Sequence, residues 1–305
     1  MSVNASPSDL AKPSAMPPGS REDLAPPRTL TACDLPAHVR VAAKLRLELA
    51  HADGATRITE RREEGAFRFR FPKVHGGAPE AVLVNIAGGL AGGDSVTSDI
   101  TLHEGARMAL SSAAAERVYR SGGDSTRLEA HLRLEKGASA LWLPQETILH
   151  DGARIERRFS IDLAPGANLL FGEMLYFGRR AAGEGFTFGS LRESWRLRMG
   201  GRLVLADETR LSGDFGESLL HPVALSNHVA LATLLLAGED AAEALPLIYD
   251  ELPDERALEA GASDLGGLVL IRIAAEDAAR LKTLTLKLAS SLAPRLGLTM
   301  PRALI

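Results

Sequence analysis

Four stretches of this sequence share one pattern: a strand-like run, a two-residue turn, a glycine followed by a small residue, and a second strand-like run. They are TLHEGARMAL from Thr101, RLEKGASALWL from Arg133, DLAPGANLLF from Asp162 and, less closely, LRMGGRLVL from Leu197. Their glycines are Gly105, Gly137, Gly166 and Gly200, at intervals of 32, 29 and 34 residues. A nearly constant interval predicts coils of strands that stack on one another. An antiparallel sandwich whose hairpins share a turn type is the open alternative.

The rest of the chain divides into a β body and a mixed C-terminal part. From about residue 39 to 220, short runs alternate apolar and polar residues, as in Leu45, Leu47 and Leu49. From about 221 to 300, two strand-like runs are each followed by a helical pattern. The first helix contains Pro246, and the second follows Asp277 with its leucines on one stripe. We therefore predict a mainly β (α+β) fold of stacked or helically wound strands, with two C-terminal helices packed on the β body.

Composition limits the class of protein. Residues 1–28 are rich in Pro, Ser and Ala and are predicted to form a disordered tail before a single domain from 29 to 305. A net charge of −4 argues against a nucleic-acid binder, and no apolar run approaches the roughly 18 residues of a membrane span. The only cysteine, Cys33, excludes a disulfide framework and suits the cytoplasm.

The stretch NIAGGLAGGDS, residues 85–95, raises the possibility of a phosphate-binding loop. Gly88 and Gly93 have the spacing of a P-loop, but Asp94 stands where the phosphate-binding lysine is required. A strand-like run with Val96 and Ile100 follows, whereas a P-loop opens a helix. We expect a strand-to-strand turn instead, with Asp94 fixing it through its side chain. Its glycines are Gly88, Gly89, Gly92 and Gly93.

Acidic residues beside glycine and aromatic residues are the candidates for chemistry. They are Glu146, Asp151, Glu173 and Glu184, with His150 close by. A pair such as Glu146 and Glu173 could hydrolyse glycosides if the two carboxylates face one open groove. Carboxylates strung along an internal channel would instead suit a weakly held divalent metal. The residue types favoured at protein interfaces supply candidate partner contacts, namely Tyr119, Tyr176, Phe177, Arg179 and Arg180.

Four motifs together resemble the family of the urease accessory protein UreD, called UreH in some organisms. They are NIAGGLAGGD, AERVYRS from Ala115, LPQETILHDGARIERR from Leu143 and GEMLYFGRRAAGE from Gly172, and the resemblance covers about residues 40–300. It implies a non-enzymatic, cytoplasmic maturation factor with a fold of wound strands and two helices. One departure is His150, where the family commonly has Phe.

The resemblance also implies partners and a cargo. The partners are the urease apoprotein, the accessory protein UreF and, through UreF, the GTPase UreG, so that nickel reaches the urease active site. No tightly bound cofactor is implied, and nickel is at most a transient cargo. Under this interpretation the four acids Glu146, Asp151, Glu173 and Glu184 are expected to line a transit route. The glycine-rich turn is expected to let another chain or the route approach closely. A β-solenoid hydrolase remains the alternative.

Overall fold

The computed structural model describes residues 40–74, 77–214, 226–253 and 257–305. The predicted tail 1–28 and Cys33 lie outside these ranges. The strands are β1 Ala42–Ala52, β2 Ala55–Glu64, β3 Phe67–Arg70, β4 Glu80–Asn85, β5 Ser95–Leu102, β6 Arg107–Ser112, β7 Glu116–Val118, β8 Thr126–Leu134, β9 Ser139–Trp142, β10 Thr147–Leu149, β11 Arg154–Leu163, β12 Asn168–Phe177, β13 Phe188–Met199, β14 Arg202–Asp214, β15 Ala230–Ala237, β16 Leu258–Asp264 and β17 Leu268–Ala275. The α-helices are α1 Leu245–Glu251 and α2 Ala278–Leu292.

The strands form two sheets that face each other. Sheet 1 has the order β14-β13-β11-β8-β5-β1-β2, and sheet 2 has the order β16-β17-β15-β12-β9-β6-β4-β3, with β10 and β7 added beside β12. In the middle of each sheet the pairing is parallel, as between β5, β8 and β11 and between β6, β9 and β12. Each coil of chain gives strands to both sheets, so the prediction of wound strands is confirmed and the hairpin sandwich is wrong.

Glycine corners carry the chain from sheet 1 to sheet 2. Gly105, Gly137 and Gly166 have φ of +69°, +67° and +73°, the left-handed region that favours glycine. Successive corners are joined by backbone hydrogen bonds, such as that from Gly105 N to Lys136 O at 3.0 Å. The interval of the sequence repeat is therefore the length of one coil.

The fourth repeat does not make such a corner. Gly200 and Gly201 both have positive φ, +56° and +80°, and they join β13 to β14 in an antiparallel hairpin within sheet 1. Two consecutive left-handed residues give the tight turn that antiparallel strands prefer. The prediction that LRMGGRLVL belongs to the same repeat of stacked coils is wrong for this reason, and the hairpin ends the row of parallel coils.

Both helices cover the outer face of sheet 2. The leucine stripe of α2 is buried there, and Asp277 caps the helix by accepting hydrogen bonds from the backbone N–H groups of Ala279 and Arg280. Pro246 lies in the first turn of α1, and the helix ends at Glu251 because extended Leu252 precedes Pro253. None of the helices in the described ranges has the length and apolar character needed to cross a membrane.

The corner glycines provide a test of the fold. At Gly137 a side chain would meet nothing within 4 Å, so Gly137→Ala adds only backbone strain. We expect it to lower the free energy of unfolding by about 1–2 kcal/mol in urea denaturation. Gly261→Ala is the control, because Gly261 lies in β16 with the same open space and without a left-handed φ. Equal stability of the two variants would contradict the role of the corner.

Candidate functional site

At the end of the coils opposite the glycine corners, the loops lie on top of one another, and we call them the loop stack. They comprise residues 86–94, 119–125, 150–153 and 178–187. Backbone hydrogen bonds link neighbouring loops and strand ends: Tyr119 N donates to Leu90 O at 2.8 Å and His150 N to Val118 O at 3.0 Å. Side chains about 30 residues apart in sequence therefore lie side by side here.

Asp94 ties the glycine-rich loop to the start of β1. One carboxylate oxygen accepts a hydrogen bond from Ala91 N at 2.7 Å, and the other accepts one from Val41 N at 2.8 Å. Gly88 and Gly93 adopt φ of +77° and +87°. The loop is thus a closed turn between two strands, with its acidic side chain facing inward to its own backbone.

The other two glycines of this loop make room for the next coil. A Cβ at Gly92 would lie 2.0 Å from Ser121 Oγ, and one at Gly89 would lie 2.4 Å from the ring of Tyr119. The bare backbone at both positions is packed against the chain's own neighbouring loop. Tyr119 also donates a hydrogen bond to Gly88 O at 3.1 Å, which holds its ring over the glycines.

A cleft of about 930 Å³ lies between the loop stack, the outer face of sheet 2 and the start of α2. It is lined by all five residues named as candidate partner contacts, Tyr119, Tyr176, Phe177, Arg179 and Arg180. Glu146 and His150 of this lining were predicted as site residues from the sequence. The other charged residues of the lining were not predicted as site residues, namely Arg117, Glu276, Asp277 and Lys282. The cleft therefore has a basic side on the loop stack and an acidic side at α2.

The acidic side of the cleft is already neutralised in part. Lys282 Nζ donates to Glu146 Oε2 at 2.8 Å, and Asp277 is used in capping α2. On the basic side, Arg179 pairs with Glu184. Within the described part of the chain, Arg117 and Arg180 form no ion pair.

His150 lies at the base of the cleft. This histidine is 9% exposed, and its Nε2 has no hydrogen-bond partner in the described ranges. The ring packs edge-on to Tyr119, with 4.9 Å between ring centroids. Burial, together with the nearby cations Arg179 and Arg117, lowers the pKa of His150, so its imidazole is neutral.

Behind the cleft, a chamber of about 100 Å³ lies between the two sheets. Strand alternation separates the two spaces, because successive side chains point to opposite faces. On β7, Glu116 faces the chamber and Arg117 the cleft; on β10, Thr147 faces the chamber and Ile148 the cleft. A single layer of backbone thus divides a partly exposed surface from a space between the sheets whose wall is mostly apolar but contains several buried polar groups.

A buried ion cluster spans the chamber. Arg157 of β11 hydrogen-bonds to Glu173 across the sheets and to Glu193 on the neighbouring strand, and it reaches Thr147 Oγ1 at 3.2 Å. Trp195 Nε1 donates to Glu193 at 3.1 Å. Burial raises the pKa of the Glu173 carboxyl, against the pull of Arg157. A guanidinium between two carboxylates is the arrangement that keeps such charges stable away from water.

Other polar groups of the chamber have open hydrogen-bonding capacity. Ser111 Oγ, Trp142 Nε1 and Arg157 Nε are buried without a hydrogen-bond partner in the described residues. Glu116 accepts two hydrogen bonds from Asn85 Nδ2, at 2.9 and 3.1 Å, and burial raises the pKa of Glu116 to about 7. The chamber is therefore suited to water or to a small polar species.

The chamber adjoins pockets on two sides of the protein. A pocket of about 260 Å³ beside Gly88 and Gly89 shares Glu116 with it. A pocket of about 190 Å³ on the exposed face of sheet 1 shares Glu129 and Arg157. The chamber therefore borders the pocket of the glycine-rich loop at Glu116 and the pocket on the exposed face of sheet 1 at Glu129 and Arg157.

The four acids predicted to line a route do not converge. Glu146 lies in the cleft and Glu173 in the chamber, while Asp151 and Glu184 hold the loop stack together. Asp151 accepts hydrogen bonds from the backbone of residues 187 and 188 and pairs with an arginine at 2.7 Å. Glu184 accepts from Asp151 N at 2.8 Å. Among the described residues, no group of three or more His, Cys, Asp or Glu side chains is arranged to hold a metal.

The hydrolase alternative fails on this geometry. Glu146 and Glu173 face different spaces, separated by the backbone of sheet 2. Each is paired with a cation, Glu146 with Lys282 and Glu173 with Arg157. Two carboxylates acting on one glycosidic bond must flank the same substrate.

Sequence reasoning missed several residues of this site, namely Arg117, Glu116, Arg157, Glu193 and Lys282. A signal for Arg157 does exist, because it occupies an inward position in an alternating run with Ile155, Phe159 and Ile161. A charge in that register must have a buried partner.

Comparisons with known proteins give one consistent family. A family model described as UreD urease accessory protein matches residues 41–304. Urease accessory protein UreD of Rhodopseudomonas palustris strain BisA53 is 43% identical over 254 residues, which cover 83% of this chain and 88% of that protein. UreD of strain HaA2 is 44% identical over 243 residues, covering 80% and 86%. UreD 3 of Bradyrhizobium sp. strain BTAi1 is 44% identical over 243 residues, covering 80% and 87%.

The ion cluster predicts that substitution of Arg157 lowers the free energy of unfolding much more than substitution of its neighbour Arg158. Arg157→Met leaves two buried carboxylates without their counter-ion, so we expect the free energy of unfolding at pH 7 to fall by about 3–5 kcal/mol. The deficit should shrink at lower pH, because a protonated carboxyl needs no counter-ion. Arg158→Met is the control: Arg158 points to solvent and pairs with Glu129, which is worth less than about 1 kcal/mol. Similar losses in both variants, measured by urea denaturation, would refute the cluster's role.

Proposed function

Because this chain belongs to the UreD family of urease accessory proteins, we propose that it is a non-catalytic maturation factor that supports nickel delivery to urease. The observation that carries this proposal is the family match over residues 41–304, which includes all four motifs, the cleft and the chamber. Its partners in this function are the urease apoprotein, UreF and, through UreF, UreG. Its place of action is the cytoplasm.

The chamber and its adjoining pockets support a role in moving a cation. A transit route must hold its cargo weakly, and separate carboxylates suit nickel passage better than a closed cage of His and Cys ligands. Glu116, Glu173 and Glu129 all line the chamber, and Glu116 and Glu129 also line its adjoining pockets. In this proposal nickel passes between the sheets, and the buried polar atoms of the chamber replace part of its hydration shell.

The buried charges fit that role energetically. Arg157 between Glu173 and Glu193 holds two acids in the interior at a net charge of −1 when both are ionised. A passing divalent cation then meets an attractive but incomplete site. Asp151 and Glu184 contribute by fixing the loop stack rather than by contacting the metal, and Glu146 remains with the cleft.

The cleft supports the docking of a partner. Tyr119, Tyr176 and Phe177 with Arg179 and Arg180 are the residue types that anchor protein interfaces, and here they border one concave surface. Tyr119 is partly exposed there. Docking at the cleft would set a partner against the loop stack, close to the pocket that leads to Glu116.

Loss of this chain tests the proposed function. In cells that carry the urease genes and the remaining accessory genes, deletion of the chain should leave urease subunits assembled but inactive. Urease activity in lysates and the assembly state by size-exclusion chromatography are the measurements. Re-expression of the wild-type chain should restore activity.

A deletion strain with full urease activity at limiting nickel would refute the maturation role. The same strain with unassembled urease would point to a role in subunit assembly instead. Re-expression of Arg62→Met, which alters only an exposed ion pair with Glu64 away from the chamber and the cleft, serves as the control that a substituted chain can restore activity.

A further inference from the structure

We propose that the cleft binds an acidic segment of a partner protein, with a carboxylate held by Arg117, Arg180 and Nε2 of His150. This inference rests on the proposed function for the presence of a partner, and it adds the chemistry that the partner must present. The three groups come from successive coils, since Arg117 lies on β7, His150 in the loop after β10 and Arg180 in the loop after β12, so the fold itself brings them to one side of the cleft.

His150 is the first observation that points to a ligand. His150 lines the cleft, and its buried Nε2 has no hydrogen-bond partner in the described part of the chain. A buried polar atom without a partner is costly, and a ligand that supplies the missing hydrogen bond removes that cost. A neutral imidazole can donate its Nε2–H to a carboxylate oxygen. The edge contact with Tyr119 fixes the ring plane for that bond.

Charge complementarity is the second observation. Arg117, Arg179 and Arg180 border the loop-stack side of the cleft, and only Arg179 has an acidic partner, Glu184, among the described residues. Across the cleft, Glu146 is neutralised by Lys282, and Asp277 caps α2. The third acid on this side, Glu276, forms no ion pair with another described residue. Two free guanidiniums beside an imidazole favour a carboxylate, to which arginine can donate two parallel hydrogen bonds.

The size and the walls of the cleft favour a protein segment over a small ion. About 930 Å³ is far more than one carboxylate needs, and the wall also has an apolar part that includes Ile148, Val229 and Tyr176. Aromatic rings around buried charged contacts are typical of the centre of a protein interface. The fitting segment therefore carries an aspartate, a glutamate or a C-terminal carboxylate next to apolar side chains.

Charge reversal tests this inference with the full-length chain. We would co-express wild-type or Arg117→Glu/Arg180→Glu protein with UreF and, separately, with urease apoprotein, and measure the amount that co-purifies as NaCl increases. The double variant should lower the affinity for one of these two partners about tenfold or more. The matched control is Arg198→Glu/Arg210→Glu, the same charge change at exposed positions of sheet 1. Thermal melting of each variant checks that the fold is retained.

A cross-linking measurement identifies the chemistry of the segment. A photoreactive phenylalanine analogue in place of Tyr119 should cross-link to a partner peptide that contains an acidic residue or the C-terminus. The inference is overturned if both partners bind the cleft variant as well as the control variant, or if the cross-linked peptide contains neither an acidic residue nor the partner's own C-terminus. A wild-type chain that binds in this charge-dependent way without activating urease would refute the proposed function alone.

Discussion

The in-register stacking of successive coils is the constraint on which the rest of the structure depends. Parallel strands pair in register along both sheets, so each coil must turn at the same height as the one before it. At the corners only a left-handed residue turns the chain sharply enough, which places glycine at 105, 137 and 166. The same stacking acts at the opposite end, where Gly92 leaves room for the loop of the next coil. The cleft and the chamber are both consequences of this regular stack.

Alternation along the strands then assigns side chains to two spaces. Most inward positions are apolar and close the gap between the sheets, but near the loop stack the inward residues are Glu116, Thr147, Glu173 and Arg157. The outward neighbours of Glu116 and Thr147, which are Arg117, Glu146 and Ile148, line the cleft. One short stretch of sheet 2 thus carries buried polar side chains on one face and lines the cleft with the other.

Much of this could be predicted from the sequence, because period and alternation are local signals. The repeat predicted wound strands, and Asp277 with the leucine stripe predicted the long helix. The interval of 31 residues from Gly88 to Tyr119 and from Tyr119 to His150 matches one coil, so their proximity follows from the repeat. The hairpin at Gly200 did not follow, because a second glycine changed the turn in a sequence that otherwise resembles a corner.

The pairing of charges was beyond sequence reasoning. Glu146 and Lys282 are 136 residues apart, and only the packing of α2 on sheet 2 brings them together. Asp151 and Glu184 looked available for a metal, yet backbone N–H groups and arginines occupy them. Acidic residues in loops often have such structural roles, and their carboxylates cannot be assigned to a cargo until their neighbours are known.

The most direct test of the account is whether nickel passes between the two sheets. Ser111 is fully buried, lines the chamber and has no hydrogen-bond partner in the described residues, so Ser111→Leu fills the space with an apolar group, while Ser111→Ala leaves it open. Nickel per active site would be measured in urease purified from cells expressing each variant. The account predicts assembled but nickel-poor urease with Ser111→Leu and normal loading with Ser111→Ala. Full loading by a Ser111→Leu chain that melts like the wild type would contradict it.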